Sequence, residues 1–256
     1  MLKTRILKNP LWVQTESHLY GTHSGGWSHQ LESPGTLPQF GELIEKLPAS
    51  AWESSKAALF LPEIACFPLK VEMAHKVGLR ERENYIKWNL KKRLPFPSED
   101  ALIRYLPLGD SSTWLVFSLP GSWVEEAHAF FKQKGIQLGY IGTISGLFLE
   151  RLKVKSSRIL LAYRHFYTFI QREAGRLTHF SLRRFPEEGG QILFPEFFPQ
   201  DFPEGGNADP LQVISFCSDR NVEWSMFRDQ DVSSPWKLME AEENLARFLV
   251  TLAGRA

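Results

Sequence analysis

Cysteine is scarce in this chain: Cys66 and Cys217 are the only two in 256 residues. They lie far apart in largely apolar surroundings, which excludes a disulfide framework and reads as two buried thiols in a reducing compartment. Long apolar runs are missing as well. The longest uncharged stretch, Gly135 to Leu149, is diluted by glycine and polar residues and falls short of the roughly 20 apolar residues that a membrane helix needs. Met1 to Trp12 carries Lys3, Arg5 and Lys8, but its apolar pieces are too short for the core of a secretory signal. Nor is there an excess of charge. Thirty Lys and Arg against 29 Asp and Glu leave a net charge of +1, so no global field recruits nucleic acid or an acidic membrane. The basic runs Lys91-Lys92-Arg93, Arg151 to Arg158 and Arg183-Arg184 are short and interleaved with apolar residues, and read as solvated helix or strand edges. The expectation is a soluble, cytoplasmic protein.

Motifs for metal or nucleophilic chemistry are also lacking. His18, His23 and His29 cluster across a glycine-rich hairpin, but their spacing fits no zinc pattern and no cysteine accompanies them. The pairs Gly25-Gly26 and Gly189-Gly190 are turns rather than a phosphate-cradling loop. Ser122, Glu125, Glu126 and His128 all fall on one predicted helix, where Ser122 serves as cap, so they make no triad. Glu81, Glu83, Glu99 and Asp100 read as solvated helix ends. No catalytic, cofactor-binding or metal-binding residue is assigned.

What the chain does hold is 43% apolar residues, enough for one large domain or two lobes. Leu11–Glu16, His18–His23 and Trp27–Leu31 read as a strand meander with glycine turns. A helix over Gln39–Leu47, with Phe40, Leu43, Ile44 and Leu47 on one face, and a strand over Ala57–Leu61 follow. The next block, 64–141, reads β-α-β-β-α-β. Its strands are Ile64–Met73, Ala101–Leu106, Thr113–Leu119 and Ile136–Ile141. Its first helix, Gly78–Leu94, has Leu79, Ile86, Leu90 and Leu94 on one face and ends at Pro95 and Pro97. Its second opens with a Ser122/Glu125 capping box, buries Trp123, Ala127, Phe130 and Phe131, and stops at Gly135.

After a short helix (Ser145–Leu152) and a linker (Lys153–Ser157), the opening pattern recurs: Arg158–Tyr163, His165–Arg172 and Leu177–Phe185 are three more strands. Pro186–Pro210 is rich in Pro, Gly and Phe; strands over Val213–Cys217 and Val222–Phe227 precede a final amphipathic helix capped by Ser234. A meander followed by further sheet and helix thus occurs twice. This suggests two related lobes, 1–155 with an insertion at 64–141, and a shortened 156–256.

Three stretches resemble the PilM family of type IV pilus assembly proteins, relatives of FtsA and of the cytoplasmic part of GspL. The first is Leu59-Phe60-Leu61-Pro62 with Phe67–Met73. The second is the charged helix Glu81–Trp88 running into Leu94-Pro95-Phe96-Pro97-Ser98-Glu99-Asp100 and the strand of Ile103-Arg104-Tyr105. The third is Ser122–Gly135 with Gly142–Leu152, where Ser145-Gly146-Leu147 and Arg151 keep the family's return helix without its acidic residues. The resemblance covers about residues 57 to 185 and implies an actin-like, ribonuclease H-like α/β fold of two lobes, with a subdomain inserted in the first.

Actin-like ATPases hold nucleotide on paired hairpins bearing an Asp for the Mg²⁺ shell and glycines for close backbone approach. Here the first hairpin, Leu11–Tyr20, contains neither Asp nor Gly, and in the second, Leu160–Phe166, Leu161 and Tyr163 stand where they are due. On the adenosine side, Ser215-Phe216-Cys217-Ser218-Asp219 replaces a glycine-rich strand end. The resemblance therefore implies a pseudo-ATPase with no cofactor, the alternative being an active ATPase with atypical phosphate loops.

The implied role is a non-catalytic scaffold at the inner-membrane platform of a type IV pilus or a type II secretion machine, peripheral through its protein partners. It would hold the cytoplasmic tail of a bitopic PilN-like protein and contact other platform proteins, with no nucleic acid and no direct membrane insertion. Leu94, Phe96, Arg104 and Tyr105 would border that groove; the plainer reading of Leu94 and Phe96 is core packing. GspL normally continues into a membrane helix, whereas this chain stops at Ala256. The stripe Leu238–Leu252 is expected to pack in the core rather than anchor to lipid, because Glu240, Glu242 and Glu243 share its polar face.

Overall fold

A computed structural model describes residues 10–16, 18–22, 26–31, 37, 40–43, 46–73, 77–109, 112–151, 158–163, 165–184 and 211–216. Those up to Arg151 form one compact unit and those from Arg158 to Phe216 a second.

The first unit is built on a five-stranded sheet of order β3-β2-β1-β4-β8, formed by β1 (Leu11–Gln14), β2 (His18–Gly21), β3 (Trp27–Gln30), β4 (Lys56–Leu61) and β8 (Gln137–Thr143). β1, β2 and β3 make an antiparallel meander, while β4 runs parallel to β1 and β8 parallel to β4. Leu11, Trp12, Val13 and Ala57 through Leu61 are all buried. Such unbroken apolar runs mark strands covered on both faces. Trp12 anchors an aromatic cluster, with ring centroids 4.9 Å from Trp27, 5.5 Å from Trp52 and 4.8 Å from Phe131. Phe131 and Phe130 come from α3 (Gly121–Gln133), and Phe40 of α1 (Phe40–Leu43) meets Phe130 at 4.8 Å in a tilted contact and Phe131 edge-on at 6.3 Å.

α3 buries the expected stripe of Trp123, Ala127, Phe130 and Phe131. Its end is a Schellman motif: Gly135, at φ +73°, donates to Lys132 O at 2.9 Å and Ile136 to Phe131 O at 2.9 Å. Its start differs from the sequence reading. The cap is Pro120 with no side-chain hydrogen bond, and Ser122 lies inside the first turn, so no capping box forms. Gly121 takes the first helical position because any Cβ there would run into the Asp100 carbonyl.

A separate three-stranded antiparallel sheet, order β5-β7-β6, is formed by β5 (Leu69–Glu72), β6 (Leu102–Leu108) and β7 (Thr113–Leu119). Helix α2 (Leu79–Leu90) covers it, with Ile86 and Leu90 meeting Val71, Ile103, Trp114 and Val116. α3 and β8, which the sequence placed in this insertion, belong instead to the main sheet, where β8 pairs with β4. The β-α-β-β-α-β reading thus contracts to β-α-β-β. Ile64–Met73 is not one strand either. A 3-10 turn spans Glu63–Cys66, and Phe67 adopts a left-handed φ of +42° before β5 begins. Leu79 is 77% exposed rather than on the buried stripe, since Val77 just before the helix takes the place against the sheet.

The second unit carries a four-stranded sheet of order β11-β10-β9-β12, from β9 (Arg158–Ala162), β10 (Phe166–Glu173), β11 (Arg176–Arg184) and β12 (Leu211–Ser215). β9, β10 and β11 form an antiparallel meander and β12 runs parallel to β9. This is the connectivity of β1, β2, β3 and β4, so the repeat seen in the sequence is a repeat of topology. The Pro186–Pro210 stretch, the strand over Val222–Phe227 and the final helix with its Leu238–Leu252 stripe lie outside the described residues, as does the expectation of a shortened second lobe that rests on them.

Candidate functional site

Among the described residues, three places could present backbone amides to an anionic ligand, and in each some of those amides are taken up internally. At the β1–β2 turn, Thr15 N–H donates to His18 O at 2.8 Å, and His18 N–H donates to Thr15 Oγ1 at 3.1 Å. The Thr15 side chain thereby does the work that a phosphate would do in a phosphate loop. Gln14, Thr15 and Glu16 are buried. Glu16 is the carboxylate of this turn, a residue that a search for Asp passes over. At the β9–β10 turn, Tyr163 N–H donates to Phe166 O at 2.9 Å, and Phe216 N–H, just past β12, donates to Ala162 O at 2.8 Å. Tyr163 is stacked between Phe166 at 4.2 Å and Phe216 at 4.8 Å. All three rings are buried.

The third place is the start of α4 (Ile144–Arg151), which follows β8 directly. A helix N-terminus offers unpaired amides and a partial positive charge. Here the buried carboxylate of Glu63 accepts from Ser145 N–H, and Gly146 N–H donates to Thr143 Oγ1 at 3.0 Å. Thr143 Oγ1 also lies 3.1 Å from Ser145 Oγ. Glu63 comes from the 3-10 turn after β4, so a protein carboxylate already occupies the anion position. Burial, and secondarily the charge of Glu63, push the Cys66 thiol well above the ordinary thiol range. No spacing rule singles out Glu63; the only hint is an acid between Pro62 and the apolar Ile64-Ala65-Cys66.

The four residues expected to border a peptide groove do not converge. β6 alternates its side chains between two faces. Tyr105 turns toward α2 and meets Trp114 edge-on at 5.4 Å, with the Arg82 guanidinium 4.3 Å above the same indole. Leu94 and Phe96 pack against that cluster too, and Phe96 meets Phe67 edge-on at 5.2 Å. Arg104 turns the other way. Its Nε donates to Ile141 O at 3.3 Å and its guanidinium lies 5.2 Å from the Tyr140 ring. β6 and β8 are each the last strand of their sheet, so Arg104 ties two sheet edges across a seam. Of the clustered histidines, His18 and His29 are separated as well, and His23 lies outside the described residues. His18 pairs with Gln30 and Leu19 with His29, which sends His18 and His29 to opposite faces, and His18 stacks on Tyr20.

No family model and no curated protein matches the sequence. Solved structures do match. The chain superposes on a PilM–PilN type IV pilus biogenesis complex with a TM-score of 0.64 at 12% identity, covering 97% of this chain and 98% of that one. The cytoplasmic domain of EpsL, an inner-membrane component of the type II secretion system of Vibrio cholerae, gives 0.56 at 14% identity, over 96% and 94%. A Bacteroides thetaiotaomicron protein with an actin-like ATPase fold and unknown function gives 0.56 at 11% identity, over 95% of each chain. Together with the repeated meander topology, these likenesses define the class: the chain has the actin-like α/β fold.

Proposed function

We propose that this chain is a non-catalytic scaffold of a type IV pilus or type II secretion platform that holds the cytoplasmic tail of a PilN-like membrane protein. The observation that carries the reading is the internal use of the Thr15, His18, Tyr163, Ser145 and Gly146 amides at the two hairpin turns and the α4 start. A Mg²⁺–nucleotide needs carboxylate oxygens around the metal and free N–H groups around the phosphates. Here a threonine closes one hairpin, stacked aromatics close the other, and Glu63 adds negative charge at the helix start. Likeness to a PilM–PilN complex and to EpsL supports the platform role, and no described helix is long and apolar enough to cross a membrane. A protein tail would be the link to the membrane, the chain itself staying peripheral on the cytoplasmic side.

The seam between β6 and β8 is the place proposed for the tail. An extended peptide can pair with a sheet edge and seat alternate side chains in adjacent hollows. Arg104 stands in the seam, whereas Tyr105, Leu94 and Phe96 pack on the α2 side of the same sheet and act on it only through β6. Pull-down from native membranes is expected to recover a protein with a short cytoplasmic head and one membrane helix. Arg104→Glu should weaken that capture about ten-fold or more, because it replaces a hydrogen-bonded cation by an anion; Phe96→Ala should weaken it less. Undiminished capture by both variants, with unchanged melting, refutes the placement. One feature favours a second reading, an atypical ATPase: the buried Glu16 at the first hairpin. If it served Mg²⁺, nucleotide binding would be measurable and Glu16→Gln would abolish it.

A further inference from the structure

The outward face of α2 takes no part in the seam. A helix turning 100° per residue sets Glu81, Asn84 and Trp88 opposite the buried Ile86 and Leu90, and the exposed Lys91, Lys92 and Arg93 follow in the turn after α2. Trp88 is 72% exposed, the largest side chain among the exposed hydrophobics of the described residues. On its C-terminal side the surroundings are basic: from Asn84 to Ser98 the sequence holds Lys87, Lys91, Lys92 and Arg93 and no acidic residue, while the exposed Glu81 lies two turns earlier on the same face. The flanking acids pair with only two of these, Glu83 with Lys87 and Glu99 with Lys91, both at 3.2 Å. Arg93 is fixed by donating to Lys70 O at 2.9 Å, a neutral acceptor that leaves its charge in place.

We propose that this face rests on an anionic lipid surface, with the Trp88 ring at headgroup level and Lys91, Lys92 and Arg93 among the phosphates. An indole is amphipathic and suited to the zone between water and acyl chains. Lysine stems can lie along the surface while their ammonium groups reach the headgroups. A protein partner would call for a wider apolar patch around the anchor, whereas Trp88 has one half-buried aromatic neighbour, Tyr85 at 6.3 Å, and the exposed Asn84, Lys91 and Lys92 around it. Charge complementarity therefore selects lipid. The contact is superficial, not a span, and it is independent of tail binding at the seam.

Co-sedimentation of the full chain tests it, with vesicles of phosphatidylglycerol and phosphatidylethanolamine set against vesicles of phosphatidylcholine alone. Each basic residue near an anionic surface strengthens partition about five-fold. The Lys91→Glu/Lys92→Glu variant should then lose roughly 25-fold or more on anionic vesicles. Trp88→Ala should weaken the residual binding in high salt, where the charge contribution is screened. Lys132→Glu on α3, exposed but elsewhere, should leave binding unchanged, and thermal melting of all variants should confirm folding. No binding to anionic vesicles overturns the proposal. So does equal binding to phosphatidylcholine, an equal loss in Lys132→Glu, or an acidic protein captured through Trp88 while vesicles are ignored.

Discussion

Replacing Glu63 by alanine tests the closed helix start by its energy. The carboxylate is fully buried and accepts the Ser145 N–H at the first turn of α4. A hydrogen bond to a charged group contributes about 1.5–3 kcal/mol, and the favourable end of a helix dipole adds up to about 1 kcal/mol more. Alanine removes both and leaves a buried amide unpaired. Relief of the desolvation that the carboxylate suffers offsets part of the loss. The net expectation is a destabilisation of about 2–3 kcal/mol for Glu63→Ala and about 1 kcal/mol for Glu63→Gln, which keeps an acceptor but not the charge. Urea titration reads this as a lower midpoint at unchanged slope. A neutral or stabilised Glu63→Ala would show that the carboxylate does not hold the α4 start, and the internal-anion argument would fail with it.

Three further outcomes follow from particular backbone and side-chain positions. Gly135→Ala forces a left-handed residue with nothing nearby to clash, so equilibrium unfolding should show a loss of about 1 kcal/mol. Ala174 and Gly175 both have positive φ in the two-residue β10–β11 turn, so Ala174→Asn should stabilise by about 0.5–1 kcal/mol in the same assay. In a Cys217→Ser background, Cys66 should resist thiol reagents until the protein unfolds. Its raised folded pKa also fixes a sign. Above the ordinary thiol range the unfolded chain releases a proton that the folded one keeps, so stability should fall as pH rises there, and a Cys66→Ala variant should lose that slope. Rapid labelling of the native protein would contradict the burial.

Much of the fold was legible because its strands are short, apolar and punctuated by glycine. The two meanders could be read from Leu11–Gln30 and Arg158–Arg184 because turn chemistry is local. Which sheet a strand joins is not local: nothing in Gln137–Thr143 states that it pairs with Lys56–Leu61 rather than with β6 or β7. The Ser122 cap failed for a similar reason. What sets the start of α3 is the approach of Gly121 to the Asp100 backbone, a tertiary contact. At the candidate site, the period-two alternation of β6 already separates Arg104 from Tyr105, a signal present in the sequence but unused. Glu63 had no such signal, because a buried acid is recognised by what surrounds it and not by its spacing.

The most direct test of the central claim is calorimetric titration of the full chain with ATP and Mg²⁺. A fold that uses the Thr15, His18, Tyr163, Ser145 and Gly146 amides internally predicts no saturable heat and no metal-dependent stabilisation. Saturable binding that requires Mg²⁺ and disappears in Glu16→Gln would contradict it.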